Sequence, residues 1–511
     1  MNRKSIIIRN SSIGLLSQFL TILFSFITRS VFINYIGMEL LGVNGTFASV
    51  LSALSLSELG FETAVVYSLY QPVHDNDQKK INDIVNILKI FYRCIGIVIS
   101  LGTVIALPFL KYILNDVSLS QDKIYLYFFL QASATIASYF LVYRRTLLYA
   151  KQMEYVYKIV DMVSTCLLNV LQCIMLIVFQ SYIVYLILKF AQVIISNIII
   201  HIYCSQHFPY LHKDKLNKKI LGKIIQDVKN IFVGKLASFM YSSTDSLVIS
   251  AFVNTVSVAY YGNYTTIILN LKSLTTGLLA PIAPIVGNFF IEEKRNDNRE
   301  HIFLLYTHLR VWIAFVIILP VIILLNDFIA YIWLTPNCVL PISVTYLLAV
   351  DFYIHLVHSS SVDYINGMGL FQLEKYIELA GAVTNIVFSI LFVQLWGISG
   401  VIAGTVISQC VFWVGRVAVV YYKGMHLSST RFFQYWLRNV YYAAVFLLCL
   451  GICTRIYKSL PFSSYFIKFV LGGILCEICV LLVGFLCFAR MREQKKLIEI
   501  LRGFIPGSRG R

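Results

Sequence analysis

One pattern governs what this chain can become. Apolar runs of about 20 residues recur from end to end, at roughly 12–36, 42–69, 84–110, 124–148, 156–179, 182–203, 230–254, 258–290, 302–326, 342–366, 374–394, 398–420, 433–454 and 464–489. A helix needs about 20 such residues to cross the hydrocarbon of a bilayer. Lipid offers backbone groups no partners, so only helices and closed barrels span it. The alternation of a barrel strand is absent from these runs. The expectation is an all-α polytopic membrane protein of about fourteen transmembrane helices. Composition agrees: 58% of the residues are hydrophobic and 13% charged, where a soluble chain is nearer half and a quarter. The first run has no small-residue cleavage site and reads as a retained span, not a signal peptide.

The net charge of +17 invites a nucleic-acid reading, and its placement argues against one. With the N-terminus inside, the tails and cytoplasmic loops carry 32 of the 42 Lys and Arg. The outward loops carry only Lys111, Lys123, Arg455 and Lys458. That bias sets both termini in the cytoplasm and makes the span count even. The basic residues are then anchors beside anionic head groups. The 205–229 loop is the richest, with six lysines from Lys213 to Lys229.

The chain also repeats itself. Shifted by 220 residues without gaps, Asn10–Ser55 lies on Asn230–Thr275 with eleven identities in 46 positions, among them Asn10/Asn230, Gly14/Gly234, Asn34/Asn254 and Gly42/Gly262. Six spans precede Asn230, so the repeat is parallel, about an axis along the membrane normal. The expected architecture is two pseudo-symmetric six-helix bundles around a central cavity, residues 1–229 and 230–430. Residues 431–511 add spans 13 and 14 and a basic tail. The same shift sets Glu58–Phe61 on Leu278–Pro281, and Pro284 follows. Both halves are expected to carry an interrupted helix there, since proline removes a backbone bond. Broken helices at matching places point to a transport site.

With cations near the cytoplasmic span ends, Arg416 among them, counted to the loops, six remain inside the expected spans: Arg29, Lys189, Lys235, Lys272, Arg310 and Lys468. A charge at the centre of a span costs roughly 2.5–3.5 kcal/mol on insertion scales, so each is a functional candidate. Lys468 and Lys235 also fit snorkelling to an interface. Arg29, Lys189, Lys272, Arg310 and Lys235 form a column of positive charge suited to an anionic solute such as a phosphate or diphosphate. Interior carboxylates include Glu58, Asp245 and Asp351, the candidates for a coupling proton or sodium ion. His355 and His358 share a face of span 10 with Asp351, in packing or in proton sensing. They lack the third ligand of a zinc site. Cys476 and Cys479 form a CxxC inside an apolar span, where small residues serve helix packing.

The stretch from Asn34 to Ile81 carries the words YIG (Tyr35–Gly37), LLGVNG (Leu40–Gly45), SELG (Ser57–Gly60) and LYQP (Leu69–Pro72). It resembles the signature of bacterial polysaccharide-export proteins, the O-antigen and capsule repeat-unit flippases of the multidrug/oligosaccharidyl-lipid/polysaccharide exporter superfamily. The resemblance implies a bacterial cytoplasmic-membrane protein without cofactor. It would turn over an undecaprenyl-diphosphate-linked oligosaccharide by alternating access, driven by H+ or Na+. Membrane lipids, a polysaccharide polymerase and other assembly proteins would be its partners. A drug or metabolite antiporter of the same superfamily remains the alternative, with a membrane glycan polymerase or transferase behind it. The chain offers no phosphate-cradling glycine loop or nucleophile elbow for an enzyme.

Overall fold

The computed structural model describes residues 3–55, 61–212, 244–279 and 296–503, with isolated positions at 221, 222, 224, 225, 236 and 282. Among these residues every regular element is a helix. In chain order, leaving single turns unnumbered, they are α1 (Arg3–Tyr35), α2 (Met38–Leu54), α3 (Phe61–His74), α4 (Gln78–Ala106), α5 (Gln121–Leu141), α6 (Arg145–Ala150), α7 (Glu154–Phe179), α8 (Tyr182–His207), α9 (Asp245–Phe252), α10 (Thr255–Leu279), α11 (Asn296–Asp327), α12 (Ile342–Gly367), α13 (Phe371–Trp396), α14 (Ile398–Ala418), α15 (Ser429–Ser459), α16 (Tyr465–Phe488) and α17 (Arg492–Gly503).

Eleven helices of the described residues are long and apolar enough to cross a membrane. They answer to expected spans 1, 3–6 and 9–14. Of expected spans 2, 7 and 8 the described residues hold only part. Span 2 is represented by α2, 17 residues long, and α3. Span 7 is represented by the eight residues of α9, and span 8 by α10. Glu58, Pro281, Pro284 and Lys235 lie outside the described residues.

The helix ends follow from local chemistry. Asp77 caps α4, its Oδ1 accepting from the Lys80 amide at 3.0 Å. α7 closes on Gln180, left-handed at φ 47°. Gly37, the glycine of the YIG word, stands between α1 and α2 at φ 98°, where a side chain would be strained. The repeat recurs here. Phe32 lies in the last turn of α1 and its counterpart Phe252 is the last residue of α9, and a short break then precedes α2 or α10. In the second copy Asn254 caps the new helix, its Oδ1 accepting from the Ser257 amide at 2.7 Å.

The chain divides into two units, Met1–Ala259 and Tyr260–Arg511. In the first, α3, α4, α6 and α8 bury Val65, Leu88, Tyr92, Ile99, Leu147 and Ile200 in one core. A second core holds Val43, Phe47, Leu114 and Phe128. In the second unit, α13 and α14 pack so closely that a Cβ at Gly400 would overlap the Phe392 carbonyl, and one at Gly404 the Ser389 amide. Small residues allow this approach where lipid gives helices no hydrophobic reason to associate. Cys449 and Cys453 of α15 meet Cys476 and Cys479 of α16 in a buried seam with Phe315 and Phe488. Large apolar side chains such as Leu167, Leu278, Leu395, Leu447 and Leu486 are exposed, as lipid-facing positions require.

Candidate functional site

The charged residues of the second unit converge on α12. Asp351, His355, His358 and Val362 follow one another at helical spacing, which sets them on one face. α10 brings Lys272 to that face. Its Nζ donates to Asp351 Oδ2 at 2.6 Å. The other carboxylate oxygen accepts from Gln409 Nε2 of α14 at 3.0 Å. Gln409 Oε1 lies 2.9 Å from His358 Nε2, and His358 Nδ1 lies 3.4 Å from Arg416 Nη1. These partners fix the directions. Arginine can only donate, so Nδ1 accepts and Nε2 carries the proton given to Gln409. The result is a one-way chain from Arg416 through His358 and Gln409 to Asp351. Arg416 is itself buried and held by Glu374, with its Nε donating to Oε1 at 2.8 Å. Glu378 stands 3.7 Å away.

A second pair lies about three turns further along the same helix. Arg310 of α11 donates from Nη2 to Asp363 Oδ2 at 2.6 Å and to the Tyr306 hydroxyl at 2.6 Å. That hydroxyl donates to the same Asp363 oxygen at 2.7 Å. Arg310, Asp363, His355, His358 and Arg416, with Thr275 and Thr276, line a cavity of about 350 Å³. Charges survive in an apolar bundle only when paired or facing water. Here they do both.

In the first unit, Arg29 donates from Nη2 to the Ala259 carbonyl at 3.1 Å. Phe32, one turn further along α1, packs edge-on against Tyr185 with ring centres 5.1 Å apart. Lys189 lies one turn beyond Tyr185 on α8, half-buried, without a hydrogen-bond or ion-pair partner among the described residues. Asp245 opens α9 and is buried. Arg145 grips Asp161 with two bonds of 2.5 and 2.9 Å.

The residues singled out from sequence thus divide. Lys272 and Asp351, read as a substrate grip and a coupling carboxylate, form one ion pair. Arg310 lines the adjoining cavity. Arg29, Lys189 and Asp245 belong to the other unit. Lys235 and Glu58 lie outside the described residues. The sequence reading counts Arg416 among the loop cations, and the structure corrects this: it is 8% exposed and paired inside the bundle. Gln409 and Glu374 escape a sequence reading as well. The signal for Arg416 is available in its spacing, since Gln409, Phe412 and Arg416 share one helical face.

The many membrane-length apolar helices define a multi-pass membrane protein. The fold is that of the lipid II flippase MurJ in its inward closed conformation, with TM-score 0.68 and 14% identity over 96% of this chain and 100% of that one. It is shared with a multidrug resistance MATE family transporter of the MOP superfamily, inward-facing, at 0.61 and 14% over 80% and 98%. The outward-facing form of such a transporter gives 0.54 and 14% over 82% and 96%. At these identities the likeness establishes the fold alone. Residues 7–288 match the model of the polysaccharide biosynthesis protein family, and the chain belongs to that family. A search of curated protein sequences finds no match.

Proposed function

We propose that this protein is a flippase that turns an undecaprenyl-diphosphate-linked oligosaccharide from the cytoplasmic to the outer leaflet of the bacterial inner membrane, for assembly of a surface polysaccharide such as O-antigen or capsule. The observation that carries the reading is the charged cavity of the second unit. It sets Arg310, Arg416 and two histidines around a space of about 350 Å³ inside apolar helices, in a chain of the polysaccharide biosynthesis family. The diphosphate is gripped by Lys272 and Arg310 of the second unit, the glycan takes the water, and the polyprenyl tail stays in lipid. Each of the two grips in the second unit already holds a carboxylate, Asp351 or Asp363. The head group therefore arrives by exchange. A proton or sodium ion on Asp351 releases Lys272 for the phosphate, which couples the ion gradient to turnover by alternating access. A drug antiporter that exports cations calls for an acidic lining, and this cavity carries one carboxylate, Asp363, against two arginines.

The test is reconstitution into liposomes with a fluorescent polyprenyl-diphosphate glycan, following leaflet exchange with and without proton or sodium gradients. Exchange that quickens under one gradient is expected. Folded protein that moves no glycan under any gradient refutes the reading.

A further inference from the structure

A second, smaller cavity lies in the first unit, far in sequence from the charged cavity of the second unit. It has a volume of about 60 Å³, several times what a single water needs. α4 and the segment after α8 form its wall. The His212 amide donates to Asn82 Oδ1 at 3.0 Å, and Asn86 Nδ2 donates to the His212 carbonyl at 2.8 Å. These bonds fix the turn that follows α8 against α4.

What lines the cavity is a set of donors with little to donate to. Arg144 is 92% buried, being 8% exposed. Its Nη1 serves the His201 carbonyl at 2.7 Å and Ser205 Oγ at 2.5 Å. Its Nε is buried without an acceptor among the described residues, and a buried unsatisfied donor on a charged group is costly. Lys89 Nζ faces the Tyr143 ring at 5.7 Å and has no hydrogen-bond or ion-pair partner among the described residues. Asn82 spends its oxygen on His212 and its amide nitrogen on no described residue. No residue lining the cavity is acidic. Asp83, the next along α4, is buried but does not line it.

Two cationic donors and an amide converging on one space, with no carboxylate to neutralise them, make a site for an oxyanion. We propose that this cavity binds a phosphate group, carried by an anionic phospholipid head group or free in solution. Arg144 supplies the fixed planar donors and Lys89 a mobile charge at the mouth. The loop-charge bias assigns this end of α4 to the cytoplasmic side, where anionic lipids gather beside basic residues. The inference concerns binding only and does not depend on the flippase reading.

The full-length protein in detergent tests it in two arms. In one, native mass spectrometry measures retention of phosphatidylglycerol against diacylglycerol, which lacks the phosphate. In the other, thermal unfolding is compared in inorganic phosphate and in chloride at equal ionic strength. Lys89→Gln removes a charge that holds no element of the fold, and Arg144→Gln removes the buried donors. In the phosphatidylglycerol arm, Lys89→Gln is expected to weaken retention about tenfold, the effect of one lost charge-assisted contact. A Lys89-dependent effect in that arm alone identifies a lipid head group as the source. The same dependence in both arms means that phosphate by itself suffices. Retention and melting that are the same in Lys89→Gln and the unaltered chain, in both arms, overturn the proposal.

Discussion

The Lys272–Asp351 pair gives the sharpest test of the reasoning. Their side chains are 17% and 7% exposed, and the contact is 2.6 Å. Removing one member of a buried pair strands the other, at a cost of about 3–5 kcal/mol. Replacing both with neutral groups strands nothing. Lys272→Met and Asp351→Asn should therefore each destabilise by about 3 kcal/mol, and the double variant by less than either. In Asp351→Asn the new side-chain oxygen would still accept from Gln409, which keeps the relay intact on that side. Stability can be followed with a thiol-reactive fluorogenic dye, because Cys449, Cys453 and Cys476 are free and buried and react only on unfolding. Function should split differently. Asp351→Asn mimics the neutralised carboxylate, so it should bind the diphosphate more tightly and lose its response to the gradient. If the double variant is as unstable as the two singles added together, the pair is not one exchangeable unit, and the coupling argument fails with it.

Two further outcomes follow from the packing and the termini. Gly400→Leu should abolish the close approach of α13 and α14, because even a Cβ there overlaps the Phe392 carbonyl; the loss would be read as a fall in monodisperse folded protein on size-exclusion chromatography. Glu493, which opens α17, is buried, which pushes its carboxyl up, but its backbone bond and the Arg438 guanidinium outweigh burial and hold it below the ordinary glutamate range. A depressed carboxyl adds stability that is present above its unfolded pKa and lost as pH falls through the lower folded value. Docking of α17, measured by protease protection of the C-terminus, should therefore persist to a pH below the ordinary glutamate range, and Arg438→Gln should move its loss to higher pH.

Much of this is legible in the residues because membranes impose simple rules. Lys272, Arg310 and Asp351 stand out as charges in apolar runs, where a charge needs a reason. The repeat is legible as well, since Phe32 and Phe252 each lie in the last turn of a helix just ahead of a break. The pairing of Lys272 with Asp351 is not, because they stand 79 positions apart and periodicity carries no information between helices. Arg416 misleads for a different reason. Lys423 follows it closely, and a basic cluster near a span end looks like a cytoplasmic anchor. Gln409 carries no charge and so gives no signal, though it joins two helices.

The directed chain of hydrogen bonds through Gln409 carries a further consequence. Every donor in it points toward Asp351 Oδ1. A proton settling on that oxygen would turn an acceptor into a donor, and the Gln409 amide would have to rotate to receive it. Its NH₂ would then face His358 Nε2, and the imidazole would have to move its own proton to Nδ1. That nitrogen already meets an Arg416 donor at 3.4 Å. Two donors cannot share the position, so the guanidinium is pressed toward Glu378, 3.7 Å away. A single proton on α12 would thus be felt as a displacement between α14 and α13. The amide and the imidazole act as a message line that reads only one state at a time.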